Sequence, residues 1–213
     1  TPPPSLRPEG LKKYTFEQLR QATSNFSLEN LVSDEGAFGP VYKGKLGNST
    51  YVAVKVMKEA TVDKVEQFSV ELGTLQQCRH PQLLQLMGYC WEGASRCIVY
   101  EYHMNGSLRS FLDSRSKLDW KRRLCILYQI IAGLEYLHVV ADPPIIHRDL
   151  KTGNILLDSH NNAVIGDFGI ARVCSQVENA KEGTSTRIFG TPGYIDPEYA
   201  RSGHVAATSD IFS

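Results

Sequence analysis

The sequence carries no excess charge of either sign: Lys and Arg total 23, and so do Asp and Glu. That balance excludes the broad basic surface that nucleic acid or an anionic membrane selects, so neither is an expected partner. Sulfur is sparse and unpatterned. The five cysteines (Cys78, Cys90, Cys97, Cys125 and Cys174) are odd in number and fit neither zinc nor redox spacing. They exclude a disulfide framework and read as reduced thiols of a cytoplasmic protein. No apolar run approaches the roughly 20 residues that span a bilayer. Thr1-Pro2-Pro3-Pro4 lacks the apolar core of a secretory leader. An initiating Met is also missing, and Asp210-Ile211-Phe212-Ser213 stops inside what reads as an unfinished helix. Both ends are therefore expected to be cut, and any membrane contact is expected only through a segment outside this chain. Present instead is an ordinary globular composition, 42% hydrophobic and 22% charged over 213 residues, enough for one large domain or two small lobes.

The chain opens with a Pro-rich, flexible stretch over 1–13. Thr15 and Gln18 form a capping-box pattern, which predicts a helix to about Ser24 with Phe16, Leu19 and Thr23 on one face. A glycine-containing hairpin, Asp34-Glu-Gly36-Ala-Phe38-Gly39-Pro-Val41, lies between two strand-like runs. Glycines there let backbone N–H groups approach a phosphate, although such a hairpin alone is more often a plain turn. Tyr51–Val56 alternates as a strand ending near Lys55. Val65, Phe68, Leu72 and Leu75 then form one helical stripe, with Glu71 beside it. Strands are expected over Leu83–Cys90 and Cys97–Tyr102, followed by a turn through His103 to Leu108. Asp119 caps a long helix whose stripe, Trp120, Leu124, Leu127, Ile131, Leu134 and Leu137, is expected to form a buried scaffold in a complete domain and to lose its cover in an incomplete one.

The most informative stretch is Ile146-His-Arg-Asp149-Leu-Lys151-Thr-Gly-Asn154-Ile-Leu156-Leu-Asp158. It sets a carboxylate, an ammonium and a carboxamide at short fixed offsets and runs into an apolar strand. Asp167-Phe168-Gly169 adds a second carboxylate. A solvated charged turn explains a lone His-Arg-Asp, but not the full string followed by the second motif. A polar segment then runs to about Ile188 and closes in Gly190-Thr191-Pro-Gly-Tyr-Ile-Asp196-Pro197-Glu198.

Taken together, these motifs resemble those of protein kinases, in the serine/threonine group of plant receptor-like and interleukin-receptor-associated kinases. The resemblance implies an α+β, bilobal fold: a small antiparallel-sheet lobe and a mainly helical large lobe, truncated at its C-terminal end. It divides the chain into a juxtamembrane-like 1–13, an N-terminal helix at 14–25 and an incomplete kinase domain at 26–213. That domain would comprise an N-lobe (26–100), a hinge (101–106) and a partial C-lobe (107–213). The implied cofactors are ATP and Mg2+. Asp149 would orient the acceptor hydroxyl and take its proton, Lys151 would neutralise the γ-phosphate, and Asn154 and Asp167 would hold the metal. Lys55 would pair with the α- and β-phosphates and with Glu71. Gly36 and Gly39 would cradle phosphates. Val41, Ala53 and Leu156 would sandwich adenine, beside Tyr100 and the backbones of Glu101 and His103. Leu75, Leu86, Phe168 and His147 would form a buried column anchored by Asp210. Thr184, Ser185, Thr186 and Thr191 are phosphorylation candidates near Arg148, with Thr191 better suited to contact the catalytic loop. Asp34 departs from the pattern, standing where its first glycine would be. A like charge near the nucleotide would weaken affinity by about tenfold. The implied partners are proteins bearing Ser or Thr and a receptor or adaptor complex, at the cytoplasmic side of the plasma membrane or free in the cytoplasm. The competing reading is a pseudokinase or inactive fragment that serves as a binding module.

Overall fold

The computed structural model describes residues 11–34, 39–47, 49–57, 61–114, 118–174 and 187–213. The chain divides into two compact units: Thr1–Gln77 with Leu84–His103, and Cys78–Leu83 with Met104–Ser213.

The first unit is built on a six-stranded sheet in the order β1-β5-β6-β4-β3-β2. Its strands are β1 (Lys12–Lys13), β2 (Leu31–Ser33), β3 (Val41–Lys45), β4 (Tyr51–Val56), β5 (Leu86–Glu92) and β6 (Ser95–Glu101). All pairings are antiparallel except β1 on β5. That parallel contact needs Gly88, because a Cβ there would run into the Lys12 carbonyl and the Tyr14 ring. Helix α1 (Phe16–Ala22) begins with the expected capping box: Thr15 Oγ1 accepts the Gln18 N–H at 3.1 Å, and Gln18 Oε1 accepts the Thr15 N–H at 2.9 Å. It ends two residues short of Ser24. Ser24, Asn25 and Phe26 all have positive φ, and Thr23 Oγ1 accepts the Phe26 N–H at 3.1 Å across this left-handed turn. Leu19 of α1 packs with Tyr14, Val52, Val54, Cys90, Cys97 and Val99 as a closed core.

Helix α2 (Val62–Gln77) packs on β5 and β6. Phe68, Leu72 and Leu75 are buried as the stripe predicts, whereas Val65 is half-buried. Glu71, beside that stripe as expected, is fully buried too, because it has partners there. The strand expected over Leu83–Cys90 begins only at Leu86. Gln82 and Leu83 are engaged in the second unit, where the Ile165 N–H donates to Gln82 O at 2.8 Å and Leu83 bridges Ile165.

The second unit holds α3 (Leu108–Asp113), α4 (Trp120–Glu135) and two small ladders. Strand β7 (Ile145–Ile146) pairs with β10 (Arg172–Val173), and β8 (Ile155–Leu157) pairs with β9 (Ala163–Ile165). Helices α5 (Pro197–Ser202) and α6 (Ala207–Phe212) complete it. Asp119 caps α4 by accepting the Arg122 N–H at 2.7 Å. The helix ends in a π-type turn, Tyr136–Val140. Gly133 lets α4 approach β9, since a Cβ there would meet Ile165 Cδ1 at 2.8 Å.

The α4 stripe is buried only in part. Leu134 and Leu137 are buried, but Trp120, Leu124, Leu127 and Ile131 are exposed (71%, 47%, 54% and 60%). The face turned to the interior carries Ile126, Gly133, Leu134 and Leu137, and none of the described residues covers the other side. The run Trp120–Val140 is also long and apolar enough, by length and composition, to cross a membrane, contrary to the expectation that no run approaches that length. Its polar groups have partners within the unit: Gln129 Oε1 accepts the Ala163 N–H at 2.8 Å, and His138 Nε2 lies 2.8 Å from Asp210 Oδ2. These bonds account for the helix as part of a folded unit.

Candidate active site

In the first unit, β4 alternation places Ala53 and Lys55 on one face of the sheet. Val41 lies opposite Lys55, and Tyr100 opposite Ala53. Lys55 Nζ lies 2.8 Å from Glu71 Oε2, and the Tyr100 hydroxyl donates to Glu71 Oε1 at 2.6 Å. Lys55 is 6% exposed and Glu71 is 0% exposed. A buried carboxylate is tolerable only when its oxygens are satisfied, and here each oxygen has a short, charge-matched or hydroxyl partner. In the sequence Tyr100 reads as a core tyrosine beside the nucleotide, with no sign of its bond to Glu71. Parity along β4 puts Ala53 and Lys55 on one face, but that Tyr100 shares it follows only from the pairing of β6 with β4.

Glu71→Ala should strand the Lys55 ammonium in the interior. Equilibrium unfolding in urea should then show a loss of about 3–5 kcal/mol. A loss under about 1 kcal/mol would mean that Lys55 reaches water instead.

Other proposed nucleotide contacts in this unit are less constrained. Gly39 has φ +148. The Glu101 N–H is taken by Gln85 O at 3.1 Å, and His103 is the last residue of the unit. Gly36 lies outside the described residues.

In the second unit, the stretch after β7 forms one connected polar cluster. Asp149 Oδ2 accepts from Lys151 Nζ at 2.8 Å and from Asn154 Nδ2 at 3.0 Å. Asp149 Oδ1 accepts from the Thr191 hydroxyl at 2.5 Å. Lys151 Nζ also donates to Thr191 Oγ1 at 2.7 Å. Asn154 Nδ2 further donates to the Asp149 carbonyl at 2.8 Å, closing the loop on itself. The sequence therefore brings together Asp149, Lys151, Asn154 and Thr191, the last of them 42 residues from Asp149.

Asp210 fixes this loop from below. Its Oδ2 accepts the His147 N–H and its Oδ1 the Arg148 N–H, both at 2.8 Å. Arg148 sits at φ +68, so the paired bonds hold a left-handed residue immediately before Asp149. The buried His147 ring accepts the Asp149 N–H at Nδ1 (3.3 Å), which leaves Nε2–H to donate to Gly166 O at 2.9 Å. Its ring meets Phe168 edge-on, with centroids 4.9 Å apart. Leu75 is buried in the first unit and Leu86 is half-buried there.

Asp167 also has positive φ (+63). The β8–β9 ladder pairs Ile155 with Ile165, and the Gly166 N–H donates to Asn154 O at 2.9 Å. Asn154 and Asp167 thus emerge at the same end of one ladder. Leu156 lies on β8 and bridges Ser107.

Arg148 Nε donates to Ile170 O at 2.5 Å, and its guanidinium stands 4.9 Å from the Phe189 ring centroid. Burial pushes this guanidinium below its ordinary range, opposed by Tyr199. Thr184, Ser185 and Thr186 lie outside the described residues.

Within the second unit the loop brings carboxylates, a lysine and a carboxamide together, and the first unit holds its own buried Lys–Glu pair; these are residue types that phosphoryl transfer uses. The family model for protein tyrosine and serine/threonine kinases matches residues 29–213. The chain belongs to this kinase family. Among kinases it is similar to, a probable leucine-rich repeat receptor-like protein kinase of Arabidopsis thaliana is 42% identical over 205 residues, covering 95% of this chain and 21% of that protein. The probable serine/threonine-protein kinase PBL21 of the same plant is 41% identical over 207 residues, covering 95% of this chain and 54% of its own length. The proline-rich receptor-like protein kinase PERK15, also from Arabidopsis thaliana, is 40% identical over 206 residues (96% of this chain, 40% of that protein). The chain thus spans from about a fifth to just over half of the length of these curated relatives. The group of plant receptor-like kinases and the α+β kinase fold, with a sheet-based first unit and a helical second one, agree with the sequence reading.

Proposed function

We propose that this chain is an ATP-dependent protein serine/threonine kinase, with the kinase domain starting near residue 26 and the 14–25 helix leading into it. The observation that carries the proposal is the Asp149 carboxylate, held by Lys151, Asn154 and Thr191. Such a group can orient a Ser or Thr hydroxyl and accept its proton as the hydroxyl oxygen bonds to the γ-phosphorus and the bond to the β-phosphate oxygen breaks, releasing ADP. Lys151 is assigned to neutralise charge on the γ-phosphoryl oxygens. Lys55, oriented by Glu71, is assigned to the α- and β-phosphates. Val41, Ala53 and Leu156 are assigned to the adenine faces, and Glu101 and His103 to its edge.

Mg2+ fits the donor chemistry. Asn154 is 8% exposed, its amide N–H groups are committed to Asp149, and its Oδ1 accepts no hydrogen bond among the described residues. Asp167 would supply a second hard oxygen, as Mg2+ prefers. When bound, the metal would cancel charge on the phosphate oxygens.

The substrates are proposed to be proteins bearing Ser or Thr, within a receptor or adaptor complex in the cytoplasm or at the cytoplasmic face of the plasma membrane. The test is phosphoamino-acid analysis of a basic acceptor protein incubated with the chain and γ-labelled Mg·ATP. Label on phosphoserine and phosphothreonine is expected; label confined to phosphotyrosine overturns the class.

Thr191 bears on the same chemistry. Thr191→Val removes a hydroxyl lodged between Asp149 and Lys151. The expected result is a fall in kcat of about 10- to 100-fold with KM for ATP nearly unchanged, and recovery in Thr191→Ser. An unchanged kcat would show that Thr191 does not order the carboxylate.

A further inference from the structure

Lys55 and Glu71 meet only if α2 stands at the right height and rotation on the sheet. Glu71 is one turn from Phe68, so both lie on the face of α2 that packs against β5 and β6. Phe68 is fully buried, and its ring meets the Trp91 ring edge-on, with centroids 5.5 Å apart at 74°. Trp91 on β5 is directly opposite Arg96 on β6. The Arg96 guanidinium lies 3.8 Å from the centroid of the Trp91 ring. Its Nη1 donates to the carbonyls of Gly93 (2.8 Å), in the tight turn joining the two strands, and of Ser95 (2.9 Å), the first residue of β6. Arg96 Nε is buried and has no hydrogen-bond partner among the described residues.

That last feature is unusual for an arginine. A guanidinium with one buried donor unmatched gives up hydration. What it gains here is the aromatic face and the carbonyls of Gly93 and Ser95. The result is a continuous stack, these carbonyls to Arg96 to Trp91 to Phe68, ending one helical turn from the carboxylate that holds Lys55. All of its members lie in the first unit.

We infer that Trp91 and Arg96 are positioning residues: the clamp formed by the β5–β6 turn sets the seat of α2, and with it the Lys55–Glu71 ion pair. This rests on the kinase reading for its effect on catalysis, but not for its effect on α2. Nothing acts through direct contact with nucleotide. Removing the guanidinium leaves the Trp91 ring free to tilt, and Phe68 and Glu71 move with it.

The experiment uses the full chain with Arg96→Ala, Arg96→Lys and Trp91→Phe, each also combined with Glu71→Gln. Two readouts are taken: hydrogen exchange of the α2 amides, and kcat/KM for ATP. Arg96→Ala is expected to speed exchange in α2 without speeding it in β4, and to lower kcat/KM by about two- to tenfold, the range of a partly desolvated cation–π contact. Arg96→Lys and Trp91→Phe, which keep the cation or the ring, should recover part of the loss. With Glu71→Gln already present, Arg96→Ala should change kcat/KM by less than about twofold, because the ion pair it serves is gone. A merely structural role would give the same loss in both backgrounds, and that result overturns the inference. Unchanged exchange in α2 overturns it as well. A wild-type chain that transfers no phosphate refutes the kinase reading instead, and α2 exchange alone then decides the clamp.

Discussion

Asp149→Asn should lower phosphate transfer by about 10²- to 10⁴-fold, the usual contribution of a positioned general base. Two effects combine. The amide cannot accept a proton from the acceptor hydroxyl. It also replaces one acceptor oxygen with a donor, in a site where Lys151, Asn154 and Thr191 all donate toward Asp149. The loss should fall on kcat. ATP affinity should stay within about threefold, since binding before transfer does not need the base. Thermal unfolding should remain cooperative, which separates this outcome from misfolding. Activity within about tenfold of wild type would remove Asp149 from the proposed role.

The second large effect is expected at Asp210. Its carboxylate is 1% exposed and accepts from the His147 and Arg148 backbones and from His138 Nε2, all at 2.8 Å. Asp210→Ala would leave these donors buried and unmatched, at roughly 1–3 kcal/mol each. Arg148 would also lose the contact that keeps it at φ +68, a conformation that costs of order 1–3 kcal/mol when unsupported. Denaturant unfolding should therefore show a loss of at least about 4 kcal/mol, a value reserved for a short list of causes. Amide exchange at His147 and Arg148 should rise first. Asp210→Asn keeps one acceptor oxygen and should lose about half as much. A loss below about 1 kcal/mol for Asp210→Ala would mean that the catalytic loop is held by its own hydrogen bonds.

Much of this was legible in the chain. The string from His147 to Asn154, followed by Asp167-Phe168-Gly169, names the polar groups of the second unit, because their offsets are local and the loop is short. Helix starts were legible for the same reason: Thr15 and Asp119 cap their helices with side chains within three residues. What was not legible is contact between distant segments. The bond from Tyr100 to Glu71 depends on which strands pair, and the stack of Arg96 on Trp91 depends on the register of β5 against β6. Neither is a spacing in the sequence. The α4 stripe shows a further limit. Helical periodicity tells which of Trp120, Leu124, Leu127 and Ile131 share a face, but not whether anything lies against it. Leu83–Gln85 misled in the opposite sense: an apolar run reads as strand, yet Leu83 bridges β9 and the β5 ladder starts later.

The central claim, that the chain transfers phosphate, is tested most directly by measuring Mg·ATP turnover onto a Ser/Thr acceptor alongside Mg·ATP affinity, on wild type and Asp149→Asn. The predicted result is measurable transfer by the wild-type chain, lost in the variant while both bind nucleotide equally. Equal binding with no transfer by either would contradict it and leave a nucleotide-binding module in place of an enzyme.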